Sequence, residues 1–262
     1  MTIAAPSVDD SPALKLLPTV LSIVAGSADV ISFLGLRGLF VAHITGNLII
    51  LAAHVVTGAQ VGIAPVLSVP VFILGLALMR LLVAGLQARE MSSLRPLLLV
   101  QFLFLVGFLV LGVLAGSPVE QDGPVAVLAG MLGVFAMAAQ NTLVQVSIDG
   151  APSTAVMTTN ITRFTMDVGE VLLGSDPAAV AAARRRAART WPAIVGFAGG
   201  AALGAAFFAA AGMASLALPT SLALIALAGA NTRQPAPLAS ARSSSAGTRA
   251  EVTSIGREHR PI

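Results

Sequence analysis

No cysteine occurs in the 262 residues, which excludes disulfides, thiolate metal sites and a cysteine nucleophile, and leaves the redox compartment open. Charge is almost as scarce: Asp, Glu, Lys and Arg make up 10% of the chain, against roughly a quarter in an ordinary soluble domain. The signatures of familiar enzymes are missing too. There is no G-x-x-x-x-G-K-[ST], no H-E-x-x-H and no G-x-S-x-G, and the glycine-rich "VGFAGGAALGAAF" lies in an apolar run rather than at a strand-to-helix turn. The longest stretch outside the apolar runs is the tail at 231–262, so there is no room for a soluble catalytic domain. Neither an enzyme nor a cofactor is expected.

What is abundant is apolar sequence: 56% of residues are hydrophobic and the mean hydropathy is +0.90. Seven apolar runs, at 16–36, 39–58, 61–86, 97–116, 125–148, 153–173 and 193–230, hold nearly all of it. A bilayer-spanning helix needs about 20 residues, so the first six can each cross once, while the last is long enough for two passes broken near Pro219. The pattern predicts an all-α, polytopic transmembrane bundle over 14–230 with about eight apolar segments and six to eight spans. A tail at 1–13 precedes it and a disordered basic tail at 231–262 follows. The first run follows an acidic tail with Asp9 and Asp10, lacks a basic n-region and is too long for a signal segment, so it is expected to remain as an anchor.

The isoelectric point near 10.9 does not point to nucleic acid. Arg233, Arg242, Arg249, Arg257 and Arg260 against Glu251 and Glu258 give the tail +3, equal to the formal charge of the whole chain, as suits an end lying near anionic headgroups. Cytoplasmic loops collect Lys and Arg, so the connection "GSDPAAVAAARRRAARTWP", with Arg184, Arg185, Arg186 and Arg189 and an interfacial Trp191, is expected inside. Eight crossings then put both termini in the cytoplasm and the acidic turn "SPVEQDGP" there too. They also leave "QAREMSSLRP", with Arg89 and Arg95, outside against the rule.

The halves, about 14–116 and 124–230, share a plan. In "ADVISFLGLRGLFVAHITGN" (28–47) and "QNTLVQVSIDGAPSTAVMTTN" (140–160), a polar residue on an apolar helix is followed by a glycine-containing turn and a return to Thr-x-Asn. Asn47 aligns with Asn160, Thr45 with Thr158 and Asp29 with Asn141; an even number of spans per half makes such repeats parallel, an odd number inverted. Counting back from the turns at Arg37-Gly38 and Asp149-Gly150, these groups lie roughly 13 Å deep by helical rise, near the midplane. The expected substrate- or ion-binding residues are therefore Asp29, His43, Thr45, Gly46, Asn47, Gln140, Asn141, Thr158, Thr159 and Asn160. Arg163 and Asp167, four apart on one helix, are expected as a charge pair or gate. The histidines have no carboxylate within an adjacent turn, so no metal site is expected.

These segments, with "TGN" at 45–47, "QN" at 140–141 and "TTN" at 158–160, resemble the YoaK family of bacterial multi-pass membrane proteins, a domain of unknown function, over about 16–230. The resemblance implies a helical protein of the bacterial cytoplasmic membrane and implies no activity. The residues themselves favour a small transporter or permease-like protein with a polar midplane site, Asp29 being its proton- or cation-responsive group. Asp29, Asp167 and Glu170 against Arg163 favour a cation, a proton or a polar neutral solute. The alternative is a membrane scaffold or assembly partner whose polar residues only hold helices together.

Overall fold

A computed structural model describes residues 12–58, 62–115, 123–148, 151–154 and 156–230. The tails predicted at 1–13 and 231–262 lie outside them, except for the start of the first helix, as does the turn predicted at Asp149-Gly150. The described residues form α1 (Pro12–Gly35), α2 (Ile44–Thr57), α3 (Ile63–Gln87), α4 (Leu94–Leu114), α5 (Pro124–Ser147), α6 (Met157–Leu173), α7 (Pro177–Ala211) and α8 (Ala217–Gly229). No strand occurs among them.

Among the described residues, five segments are long and apolar enough to cross a membrane: Leu16–Gly35, Ile63–Gln87, Leu94–Leu114, Pro124–Ser147 and Pro177–Gly229, the last holding both α7 and α8. Large apolar side chains face outward on them, including Ile73, Leu81, Leu103, Leu203 and Ile225. A helical protein bathed in water would show charge at such positions; lipid tails accept them.

Three local expectations change. The run at 39–58 is helical only from Ile44, because Leu39 to His43 are irregular. The arginine-rich connection is helix rather than loop: Asp176 caps the first turn of α7, accepting from the backbone N–H groups of Ala178 and Ala179, so Arg184 to Arg189 ride on α7. The last run breaks at Gly212 (φ +55°), not at Pro219. Gly212 takes a left-handed backbone that disfavours side chains, whereas Pro219 sits in the first turn of α8, where its missing N–H breaks no bond.

Small residues set the packing. Gly196, Gly200 and Gly204 of α7 face Thr19, Ile23 and Ser27 of α1 in the same order, so the two helices run parallel with their backbones touching. A Cβ on Gly26 or Gly200 would collide with the backbone carbonyl of Phe197 or Ile23. Lipid gives no hydrophobic drive for helix pairing, so close backbone approach and dispersion supply it.

Other contacts give the remaining directions. In α5, Gly130 lies against Leu36 and Leu39, whereas Gln140 bonds the carbonyl of Leu21, so α5 runs antiparallel to α1. Gln101 meets Gln140, Phe108 meets Gly133 and the Ser93 hydroxyl meets that of Ser147 at 3.0 Å, which makes α4 antiparallel to α5. Gly112 touches Met213 and Leu216, and Thr220 donates to the carbonyl of Leu105, so α8 is antiparallel to α4. The first half of α3 packs in one core with Leu36, Leu39 and Ala126, and its second half with Leu97, Leu143 and Val144; it runs with α5. The neighbours recur in pairs: α1 lies on α7 and α8 as α5 lies on α3 and α4, and α2 lies on α3 as α6 lies on α7.

Candidate functional site

The irregular backbone before α2 is held by two side chains. Asp29 of α1 is buried, and its Oδ1 accepts the N–H groups of Ala42 at 2.7 Å and His43 at 3.3 Å. Asn47, fully buried, accepts the N–H of Phe40 at 2.9 Å and donates to the Phe40 carbonyl at 2.7 Å and to the Ser68 hydroxyl of α3 at 2.9 Å. Buried peptide groups outside a helix have no ladder to satisfy them. The two polar residues replace it.

Around this clamp the side chains are aromatic. Phe40 stacks on Phe33 with centroids 4.8 Å apart and meets the His43 ring at 5.7 Å. Gly46 sits directly beneath; a Cβ there would press on both Phe40 and His43. Thr45 is exposed in the first turn of α2.

The approach to α6 repeats the scheme with polar residues. Asn160, again fully buried, donates to the carbonyl seven residues back, that of Ser153, at 2.6 Å, and the Ser153 hydroxyl accepts the N–H of Val156 at 3.0 Å. Thr154 accepts from Gln140 Nε2, which also donates to the Leu21 carbonyl, while Gln140 Oε1 accepts from Gln101 at 2.7 Å. Where the first half has an aromatic stack, this half has a cavity of about 440 Å³. Asn141, Gln145, Thr159 and Arg163 bring polar groups to it, and Val144, Ile148 and Val156 bring apolar ones.

The expected site residues therefore divide. Asn141 and Thr159 line the cavity. Asp29, Asn47 and Gln140 are spent on internal bonds, Asn160 bonds through Nδ2 while its buried Oδ1 has no partner, His43 and Gly46 belong to the aromatic side, and Thr45 and Thr158 are exposed on first turns. They do not converge on one site. The expected Arg163–Asp167 pair is also replaced: Asp167 is bonded by Arg186 of α7 through Nε at 2.9 Å and an η nitrogen at 2.6 Å, leaving Arg163 to the cavity. An i,i+4 spacing permits a contact, but a guanidinium on the neighbouring helix reaches the same carboxylate with two donors. Gln145, Ser153 and Thr154 were absent from the expected set. The signal available for them was helical spacing, which puts Gln145 on the same side of its helix as Gln140 and Asn141, with Ser153 and Thr154 following soon after.

Apolar helices of spanning length, buried polar clamps and an outward lipid-type surface define a membrane-type helical protein. A family model described as "Protein of unknown function (DUF1275)" matches residues 17–229, and the chain belongs to that family. No curated protein and no solved structure matches the chain.

Proposed function

We propose that this protein is a small alternating-access transporter of the bacterial cytoplasmic membrane, built from two inverted halves. The observation that carries the reading is one cavity facing one filled counterpart. A shift of 112 residues carries Pro12–Gly35 onto Pro124–Ser147, and a shift of 113 carries the starts of α2 and Asn47 onto the start of α6 and Asn160. Under these shifts the cavity residues Gln145, Ser153 and Val156 correspond to Phe33, Phe40 and His43, the three rings of the stack. A two-state device with equivalent vestibules, one open and one shut, gives this asymmetry.

The antiparallel course of α1 and α5 supports inversion. Because α3 also runs against α1, the segment 39–57 enters and leaves on one side, and by symmetry so does 151–173. Six crossings result, α1, α3, α4, α5, α7 and α8, with two re-entrant half-helices whose entries bury Leu39, Val41, Ala42 and Thr154, in keeping with the need to shield irregular backbone from lipid. In this arrangement Arg89, Arg95 and Arg184 to Arg189 all fall at the end where α1 begins and α8 finishes, so the positive-inside rule is obeyed without the exception that eight crossings demanded. That end, with the cavity, the start of α1 and the end of α8, is the cytoplasmic one.

The absence of native cysteine makes the test direct. Val156→Cys should react with a membrane-impermeant maleimide in inside-out vesicles and not in intact cells. Ser32→Cys, fully buried on α1 next to Phe33, should stay silent until Phe40→Ala is added, and then react in intact cells. If Val156→Cys is silent in both preparations, or Ser32→Cys reacts without Phe40→Ala, the reading is wrong.

The scaffold alternative draws on the same clamps, since Asp29, Asn47 and Asn160 bond only within the protein. It offers no account of the cavity.

A further inference from the structure

We infer that the cavity takes a small amphipathic carboxylate, with Arg163 as its anchor. The inference rests on the transporter reading and reverses the sign of substrate that the sequence suggests.

The acids behind that suggestion do not line the cavity. Asp29 lies in the other half, turned to the N–H groups of Ala42 and His43. Asp167 is neutralised by Arg186, and Glu170 is not among the lining residues. Among the described residues, Arg163 is the one ionisable group that lines the cavity. A guanidinium facing a concave, partly apolar space recognises planar anions through paired N–H bonds, which favours a carboxylate. The first turn of α6 adds to this field: it carries no acidic residue and no side-chain cap, so the positive end of that helix stays uncompensated beside Thr159.

The rest of the lining describes the body of the solute. Val144, Ile148 and Val156 give an apolar wall, and Asn141, Gln145 and Thr159 supply neutral hydrogen-bonding groups. A volume of about 440 Å³ lies toward the small end of ligand sites, which run from roughly 300 to 1,000 Å³. A short-chain carboxylate such as butyrate fits both the size and the mixed lining. A doubly charged anion has one cation to meet it, and a quaternary ammonium has none of the aromatic faces that hold such groups.

The experiment is protection of Val156→Cys from impermeant maleimide in inside-out vesicles, with butyrate, choline chloride and glycerol as probes against a matched sodium chloride control. Butyrate should slow labelling about tenfold once its concentration is ten times its dissociation constant; choline and glycerol should not. Arg163→Gln should abolish butyrate protection, measured against that variant's own labelling rate without butyrate, and Arg163→Lys should retain part of it. Protection by choline or glycerol instead of butyrate overturns the carboxylate assignment and leaves the transporter reading standing. Undiminished butyrate protection in Arg163→Gln overturns the role of Arg163. A Val156→Cys protein that does not label at all removes the open cavity, and with it both proposals.

Discussion

Asn47 and Phe40 exchange two hydrogen bonds across seven residues, the Phe40 N–H to Oδ1 at 2.9 Å and Nδ2 to the Phe40 carbonyl at 2.7 Å. One side chain thus satisfies both polar groups of a peptide in irregular backbone. Asn47→Ala leaves both groups and the Ser68 hydroxyl without it, and should lower stability by roughly 2–4 kcal/mol. Asn47→Asp keeps the acceptor for the Phe40 N–H but places a carboxylate against the Phe40 carbonyl, so it should be no better than Ala. Thermal unfolding of the detergent-purified variants checks the order; a Thr45→Ala control, on an exposed residue, should unfold with the parent.

Gly199 and Gly200 are neighbours with opposite surroundings. A Cβ on Gly200 meets the backbone of Ile23, whereas one on Gly199 meets nothing within 4 Å. Gly200→Ala must push α7 off α1 and should cost about 1–3 kcal/mol. Gly199→Ala adds helix propensity without a clash and should be neutral or stabilising by up to about 1 kcal/mol. Equal losses in both would show that α1 and α7 do not touch along this face.

Gln140 donates to Leu21 and Thr154 and accepts from Gln101, while Gln101 Oε1 is buried with no partner. Removing the hub differs from removing a spoke. Gln140→Leu removes the partner of the Gln101 amide and of the Thr154 hydroxyl and the extra bond to the helical Leu21 carbonyl, and should destabilise by about 2–4 kcal/mol. Gln101→Leu deletes one bond and exchanges one orphaned acceptor, its own Oε1, for another, Gln140 Oε1, and should change stability by less than about 1 kcal/mol. Denaturation midpoints of the two variants in the same detergent test the asymmetry.

Arg186 and Asp167 tie α7 to α6. The Asp167 side chain is 9% exposed and that of Arg186 59%, so water screens the cation more than the acid. Arg186→Ala should lower stability by about 1–2 kcal/mol, less than a fully buried pair would lose. In an Asp167→Asn background the same change should do little. A double-mutant cycle that returns no coupling energy would rule out the pair as a tie between the helices.

The sequence by itself determined the class of molecule. Apolar runs of spanning length and scarce charge admit a helical membrane protein and little else, because lipid requires every backbone group to be satisfied within the protein. It also singled out polar residues that the structure buries: Asp29, Asn47 and Asn160 lie away from the surface, where a charge or amide facing lipid would be excluded. Their partners were not legible. Asn47 reaches a peptide seven residues back and Asp29 a peptide thirteen residues on, and such bonds exist only once the chain folds back on itself, which helical periodicity cannot foresee. Tertiary structure alone decided that 39–43 is irregular, that Asp167 takes Arg186 rather than Arg163, and that space opens beside α6 while rings fill the corresponding place beside α2. The reason is the same in each case. Composition and spacing state which groups must be buried and satisfied, while the choice among partners able to satisfy them is made by which helix backbones can come into contact.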